Sequence, residues 1–342
     1  MIPRTADLGK DNNHKIPDWN AEMARAVTDP AELLRILELD KSLFLDNARL
    51  ASRSFSVRVP HGYIARMNKG DPNDPLLKQV LPLGLELESV DGFVSDPVSD
   101  HTAMVAPGIL QKYHGRALLI TTGACAIHCR YCFRRHFPYT DTGPSWNGWR
   151  SSLEYIASNP GITEVILSGG DPLSLSDKRL AELIHEIGKI THVSRLRIHT
   201  RLPVVLPERI NESLVQILHS SRLATVMVIH ANHPNEINEP VSRVLKMLDA
   251  KGIRLLNQSV LLKGINDHPE TLAELSEALF DSGVLPYYLH LLDKVAGAAH
   301  FDVEETDAIK LLKMLNTMLP GYLVPKMVKE IPGKAGKTPI TG

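Results

Sequence analysis

Short apolar, β-branched runs recur along this chain at a spacing of about 30 residues, and that beat constrains the fold more than any other feature. They begin near Arg116 (ALLITT), Thr163 (TEVILSG), Ser194 (RLRIHT), Leu223 (ATVMVIH), Ile253 (RLLNQSV) and Leu285 (PYYLHLL). Segments with helical periodicity lie between and after them, at Asp177 to Ile190, Asn211 to His219, Pro240 to Lys251, Pro269 to Ser282 and Val303 to Leu319. Runs this short suit strands buried on both faces, and their alternation with helices predicts a parallel α/β sheet. Six such units predict a partial (β/α)6 barrel. A seventh short strand is expected within Gly321-Tyr-Leu-Val-Pro-Lys-Met-Val.

Residues 1–105 lack the beat. Asp29 followed by Pro30 and an apolar-rich run predicts a capped helix, and the Pro-, Gly- and Asp-rich stretch from Val80 to Asp100 reads as loop. The expected division is therefore an N-terminal, largely helical accessory region (1–105), a barrel core (106–320) and a C-terminal segment (321–342).

Composition excludes several classes. A net charge of −1 provides no basic field for nucleic acid or anionic lipid, and 5% aromatic residues make a poor base-stacking surface. No apolar run approaches the ~18 residues of a membrane span, and the first residues lack a signal-peptide core. The expected location is cytoplasmic.

Parallel barrels carry their chemistry on the loops after the strands. All three cysteines of the chain fall there, as Cys125, Cys129 and Cys132 after the first strand. They stand too close together to staple a fold. The spacing C-x3-C-x2-C suits three ligands of a [4Fe–4S] cluster whose fourth iron stays open. The other readings are a zinc site completed by His128 or His136, within a non-catalytic interaction module, and inert buried thiols. Ser168, Gly169, Gly170 and Asp171 follow the second strand, His199 and Arg201 flank the end of the third, and His230 ends the fourth. Asn257 and Gln258 end the fifth, and His290 and Asp293 end the sixth.

With the cysteines after strand one and Gly169-Gly170-Asp171 after strand two, the chain resembles the radical S-adenosylmethionine superfamily. The resemblance implies that Cys125, Cys129 and Cys132 hold the cluster, and that the open iron takes the methionyl end of S-adenosylmethionine near Ser168 to Asp171.

At the far end, Gly336-Lys337-Thr338 is not a phosphate loop. The glycine required five residues before Gly336 is Ile331, and Pro339 follows where a helix should begin. A lysine among small residues at a barrel mouth suits attachment of pyridoxal phosphate, or else a solvated tail. From about Leu110 to Ile340 the motifs are similar to those of the lysine 2,3-aminomutase family. They are Tyr113-x-x-Arg116, Cys129-Arg-Tyr-Cys132-x-Arg134-Arg135, His230-Ala-Asn-His-Pro-Asn-Glu236, Asn257-Gln-Ser-Val-Leu-Leu-Lys-Gly-Ile-Asn-Asp267, Tyr287-Tyr288 through Asp293, and Pro332-Gly-x-x-Gly-Lys337.

That likeness implies an isomerase that converts L-α-lysine to β-lysine. Lys337 matches the pyridoxal 5′-phosphate lysine, and Tyr113 and Arg116 the residues beside its phosphate. Arg134 matches the grip on the substrate carboxylate, Asp293 and Glu330 the pair that receives the side-chain ammonium, and His230, Asn257 and Gln258 positions near the cofactors. Position 330 departs from the family's aspartate. The likeness is strongest to the shorter type that supplies β-lysine for modifying elongation factor P. It implies as partners a lysyl-transferring enzyme and a reductant protein such as a flavodoxin or ferredoxin. Arginine or glutamate is the alternative substrate, although a carboxylate pair favours a cation over glutamate.

Overall fold

The computed structural model describes residues 18–139 and 146–341. Its centre is one sheet of ten strands whose neighbours follow chain order: β1 (Met104–Ala106), β2 (Ile109–Leu110), β3 (Arg116–Thr122), β4 (Glu164–Gly169), β5 (Arg195–Thr200), β6 (Ala224–Ile229), β7 (Arg254–Val260), β8 (Val284–His290), β9 (Lys326–Lys329) and β10 (Thr338–Pro339). β3 to β9 run parallel, while β1, β2 and β10 join antiparallel. β1 and β10 do not pair with each other, so the barrel is partial. All six expected runs are strands. The seventh begins at Lys326, because Gly321–Leu323 forms a 3-10 turn.

The crossover helices sit within a few residues of their expected bounds. Asp177–Lys189, Glu212–His219 and Glu239–Ala250 are capped by the side chains of Ser176, Asn211 and Asn238. Pro269–Asp281 carries its proline in the first turn, where the missing N–H costs nothing. Each buries an apolar stripe on the sheet, such as Leu180, Leu183, Ile184 and Ile187 on the first.

The N-terminal region is helical as expected, and Asp29 caps Pro30–Ile36 through Ala31 N. Its Leu33, Leu34, Leu76 and Leu77 belong to the same apolar cluster as Leu119, Val165, Leu196 and Met227 of the sheet. A buried Glu86 clamps it to the cysteine loop, bonding Arg130 at 2.5 Å and 2.9 Å and Arg135 at 2.7 Å. The Val80 to Asp100 stretch is thus loop apart from a 3-10 turn at Gly84–Leu87, and that turn carries the anchoring Glu86. It also crosses to the loop after β8, where Val94 bridges Val295.

Candidate active site

The end of β3 turns sharply into the cysteine loop, and that turn is held by the next strand. Gly170 N donates to Thr122 O at 2.7 Å and Asp171 N to Ala124 O at 2.8 Å. A Cβ on Gly170 would lie 2.5 Å from Ala124 O, and one on Gly169 2.8 Å from Ile120 Cγ2. Gly169 also has φ +109°, so only glycine fits there without strain. The glycine pair therefore has a structural duty: it lets the backbone carrying Cys125 lie directly on β4.

The three cysteines, Lys337 and most of the residues singled out in the sequence line one cavity of about 340 Å³. Tyr113, Arg116, Arg134, Ser168, Gly169, Gly170, Asp171, His230, Gln258, Asp293 and Glu330 are all on its wall. Asn257 is not among the lining residues. Its amide exchanges hydrogen bonds with the backbone of Ala231, at 2.9 Å and 3.1 Å, and so fixes the loop after β6. The sequence placed it at the end of the right strand but could not tell which way its side chain served.

Burial pushes the Cys125 thiol well up, and the Cys132 thiol up to about 11. Thiols in such surroundings become effective ligands when iron takes the proton's place. His128 bonds Ser56 O at 2.8 Å and His136 bonds Ala296 O at 3.1 Å. Both proposed zinc histidines are thus tied to backbone carbonyls. Among the described residues, no three His, Cys, Asp or Glu side chains converge on one ion, as a mononuclear centre needs. A cubane asks for something different, one thiolate on each of three irons.

Lys337 is brought to the cavity by the β9–β10 hairpin, whose register sets Thr338 opposite Lys329. Its Nζ donates to Glu330 Oε2 at 3.0 Å, and Tyr113 Oη donates to Glu330 Oε1 at 2.5 Å. Burial works to raise Glu330, but Lys337 and the Tyr113 hydroxyl outweigh it and hold the carboxyl below the ordinary range. Among the described residues the Asp293 carboxyl has no such partner at hydrogen-bond distance; burial pushes it up to about 7, against the pull of Lys337. Arg116 stacks on Tyr113, 4.8 Å from the ring centroid, and its buried Nε has no partner among the described residues. An orphaned guanidinium donor beside a lysine and a phenol is a fitting cradle for the phosphate of a lysine-bound coenzyme.

Arg134 is buried, and its side chain is aimed by a residue that sequence reasoning missed. Asp100 accepts from Arg134 Nε at 2.7 Å and pairs with Lys112 at 2.7 Å. Arg134 Nη1 also reaches Ser168 Oγ at 3.2 Å. With Nε taken, a carboxylate can be gripped only by the Nη pair at the guanidinium end. Asp100 follows Ser99, whose φ of 54° turns the chain there; no short motif announces it.

Three histidines face the same space. Burial, then the nearby Arg201, lowers His230 to about 3, and its Nε2 bonds Tyr131 Oη of the cysteine loop at 2.9 Å. His199 and His290 are held well below the ordinary value, first by burial, and in each Nε2 is buried without a partner among the described residues. All three are neutral donors or acceptors at physiological pH.

Comparison with known proteins follows the same lines. The Radical SAM superfamily family model matches residues 119–276. L-lysine 2,3-aminomutase of Escherichia coli (strain K12) is 49% identical over 323 residues, covering 94% of both chains. That of Haemophilus influenzae is 47% identical over 338 residues, covering 99% of this chain and 98% of the relative. That of Clostridium subterminale is 35% identical over 345 residues, covering 99% of this chain and 82% of the relative.

Proposed function

The chain belongs to the lysine 2,3-aminomutase family of radical S-adenosylmethionine isomerases, and from that premise we propose that it moves the α-amino group of lysine to the β-carbon with pyridoxal phosphate held on Lys337. The observation that carries this reading is the single cavity lined by Cys125, Cys129, Cys132 and Lys337. Both ends of a radical isomerisation need one water-poor space, since a carbon radical that meets solvent or a stray hydrogen donor is lost.

The family brings a [4Fe–4S] cluster and S-adenosylmethionine, which together supply a carbon radical able to take a hydrogen atom from the substrate. Pyridoxal phosphate supplies an electrophilic carbon that carries the amino nitrogen between neighbouring carbons. The protein's own residues supply position. Cys125, Cys129 and Cys132 are the iron ligands, and Ser168 to Asp171 form the ledge beside them. Arg116 and Tyr113 take the coenzyme phosphate. Arg134, aimed by Asp100, takes the substrate carboxylate. Asp293 and Glu330 take the side-chain ammonium, which fixes the β-carbon relative to the cluster.

Glu330 has a second duty in this reading. It holds the Lys337 ammonium at 3.0 Å whenever that amine is free, so the nitrogen displaced by substrate has a carboxylate waiting. His199 and His290, both neutral, line the space without adding a cation that would repel the substrate ammonium.

The test is an anaerobic incubation with lysine, S-adenosylmethionine, pyridoxal phosphate and a strong reductant. The expected product is β-lysine. Turnover of arginine or glutamate in place of lysine would overturn the assignment of Asp293 and Glu330. The likeness to the shorter family type further supports a cytoplasmic role in supplying β-lysine for elongation factor P, with a flavodoxin or ferredoxin as reductant. Loss of the β-lysyl mass increment on elongation factor P in a strain deleted for this gene tests that link.

A further inference from the structure

Arg201 stands at the end of β5 and is not used by the chemistry above. Its guanidinium is buried, with 6% of the residue exposed. Nη1 donates to Cys129 Sγ at 2.7 Å. Nη2 donates to Gln79 Oε1 at 2.6 Å, Glu236 Oε2 at 2.8 Å and Tyr63 Oη at 3.2 Å. Its backbone N–H is held by Asp171 Oδ2 at 2.7 Å. Nε is buried with no partner among the described residues. The side chain also lies against the rings of Tyr63 and Tyr131, at 5.5 Å and 5.8 Å.

The partners that hold Arg201 come from three separate places: Tyr63 and Gln79 from the N-terminal region, Glu236 from the loop after β6, and Asp171 from the loop after β4. Glu236 is in turn fixed by the backbone N–H groups of Asn232 and His233, at 2.8 Å and 3.1 Å. So much buried polar structure around one cation fixes where its charge sits. It directs one donor at a cluster ligand and leaves another unspent.

We propose that Arg201 sets the reduction potential of the cluster by holding a permanent positive charge and a hydrogen bond on the Cys129 sulfur, with Glu236 fixing its position and partly offsetting its charge. Arginine keeps its proton under all working conditions. Hydrogen bonds to ligand sulfurs and nearby charge are recognised controls on cluster potential. Reduction adds one electron to the cluster, so a cation beside a ligand favours the reduced form and raises the potential. The low dielectric of a buried site strengthens the effect. Arg201 thus eases delivery of the electron by an outside donor. It acts through Cys129 and is a positioning residue.

This inference rests on the cysteines holding a [4Fe–4S] cluster, and the experiment separates the two. Iron and sulfide are first measured in the reconstituted wild-type protein; their absence defeats the cluster assignment itself. The midpoint potential is then read by EPR-monitored redox titration without substrate, in wild type, Arg201→Gln, Arg201→Lys and Glu236→Gln. Arg201→Gln is expected to lower the ratio of reduced to oxidised cluster at fixed potential at least tenfold, a shift of about 59 mV to more negative values. Arg201→Lys, which keeps charge but not the fork, is expected to fall between it and wild type. Glu236→Gln is expected to shift the other way. An Arg201→Gln protein with a full cluster and the wild-type midpoint overturns the proposal. Should that variant fail to assemble a cluster, Glu236→Gln decides, and an unchanged or more negative midpoint there overturns it.

Discussion

Lys337 Nζ lies 3.0 Å from Glu330 Oε2, the two residues facing each other across the hairpin that returns the chain end to the sheet. The residue proposed to carry the coenzyme and the residue proposed to receive the substrate cation are therefore direct partners. Replacing Lys337 with Ala is expected to abolish the coenzyme's visible absorbance and all turnover. Replacing Glu330 with Gln is expected to keep coenzyme bound but raise KM for lysine about tenfold, the cost of about 1.4 kcal/mol in a charge-assisted contact. Absorbance spectra and steady-state kinetics check both.

Asp293 gives the pH dependence. Its ligand-free pKa is raised to about 7, chiefly by burial. Below that pH the carboxyl is neutral and offers little to an ammonium; above it the carboxylate is available. The substrate cation favours the ionised form, while attachment of the coenzyme to Lys337 weakens the pull that lowers Asp293, so kcat/KM for lysine is expected to rise with pH through the neutral range before it levels. Asp293→Asn is expected to remove this rising limb and to weaken lysine use about ten- to a hundredfold. A pH–rate series on both proteins is the check.

Gly170 tests the seam beneath the cysteine loop. A methyl group there would sit 2.5 Å from Ala124 O and 2.8 Å from Gly123 C, both backbone atoms that cannot swing away. Gly170→Ala is expected to cost about 1 to 3 kcal/mol of stability and to yield protein deficient in iron and sulfide, because displacement falls on the residue next to Cys125. Thermal unfolding and metal analysis, taken together, check the expectation.

Glu86 tests the clamp between the N-terminal region and the cluster loop. It is fully buried and bonds both Arg130 and Arg135. Glu86→Ala leaves two guanidinium groups buried without their anion and is expected to cost about 3 to 5 kcal/mol. Denaturant unfolding of the apoprotein checks this independently of any cofactor.

Asp100 tests the aim of Arg134. Asp100→Asn keeps the volume but removes the charge that holds Arg134 Nε and Lys112 Nζ. The expected result is a KM for lysine raised about tenfold with cluster content unchanged. Measuring KM beside iron content distinguishes a misaimed arginine from a damaged loop.

The parallel strands β3 to β8 were legible because each carries a short apolar run, at a regular spacing along the chain, whose pattern needs no knowledge of partners. The cysteine loop was legible as a candidate site because its three thiols are adjacent in sequence, and Lys337 because a glycine-rich motif surrounds it. β10 was not, since a two-residue strand containing Pro339 carries no periodic signal and forms only because β9 offers an edge. The short β1 and β2 were missed for the same reason. Asp100, Glu86 and Arg201 acquire their roles from partners 34, 44 and 72 positions away. Long-range pairing of that kind leaves no local pattern to read.

The most direct test of a shared cavity follows one hydrogen atom. The protein is incubated anaerobically with S-adenosylmethionine, pyridoxal phosphate, reductant and lysine deuterated at the β-carbon, and the 5′-deoxyadenosine formed is analysed by mass spectrometry. Deuterium in the deoxyadenosine of wild type, and its loss in Lys337→Ala, is the predicted result. Cleavage of S-adenosylmethionine with no deuterium transfer in the wild type, or transfer that persists without Lys337, would contradict it.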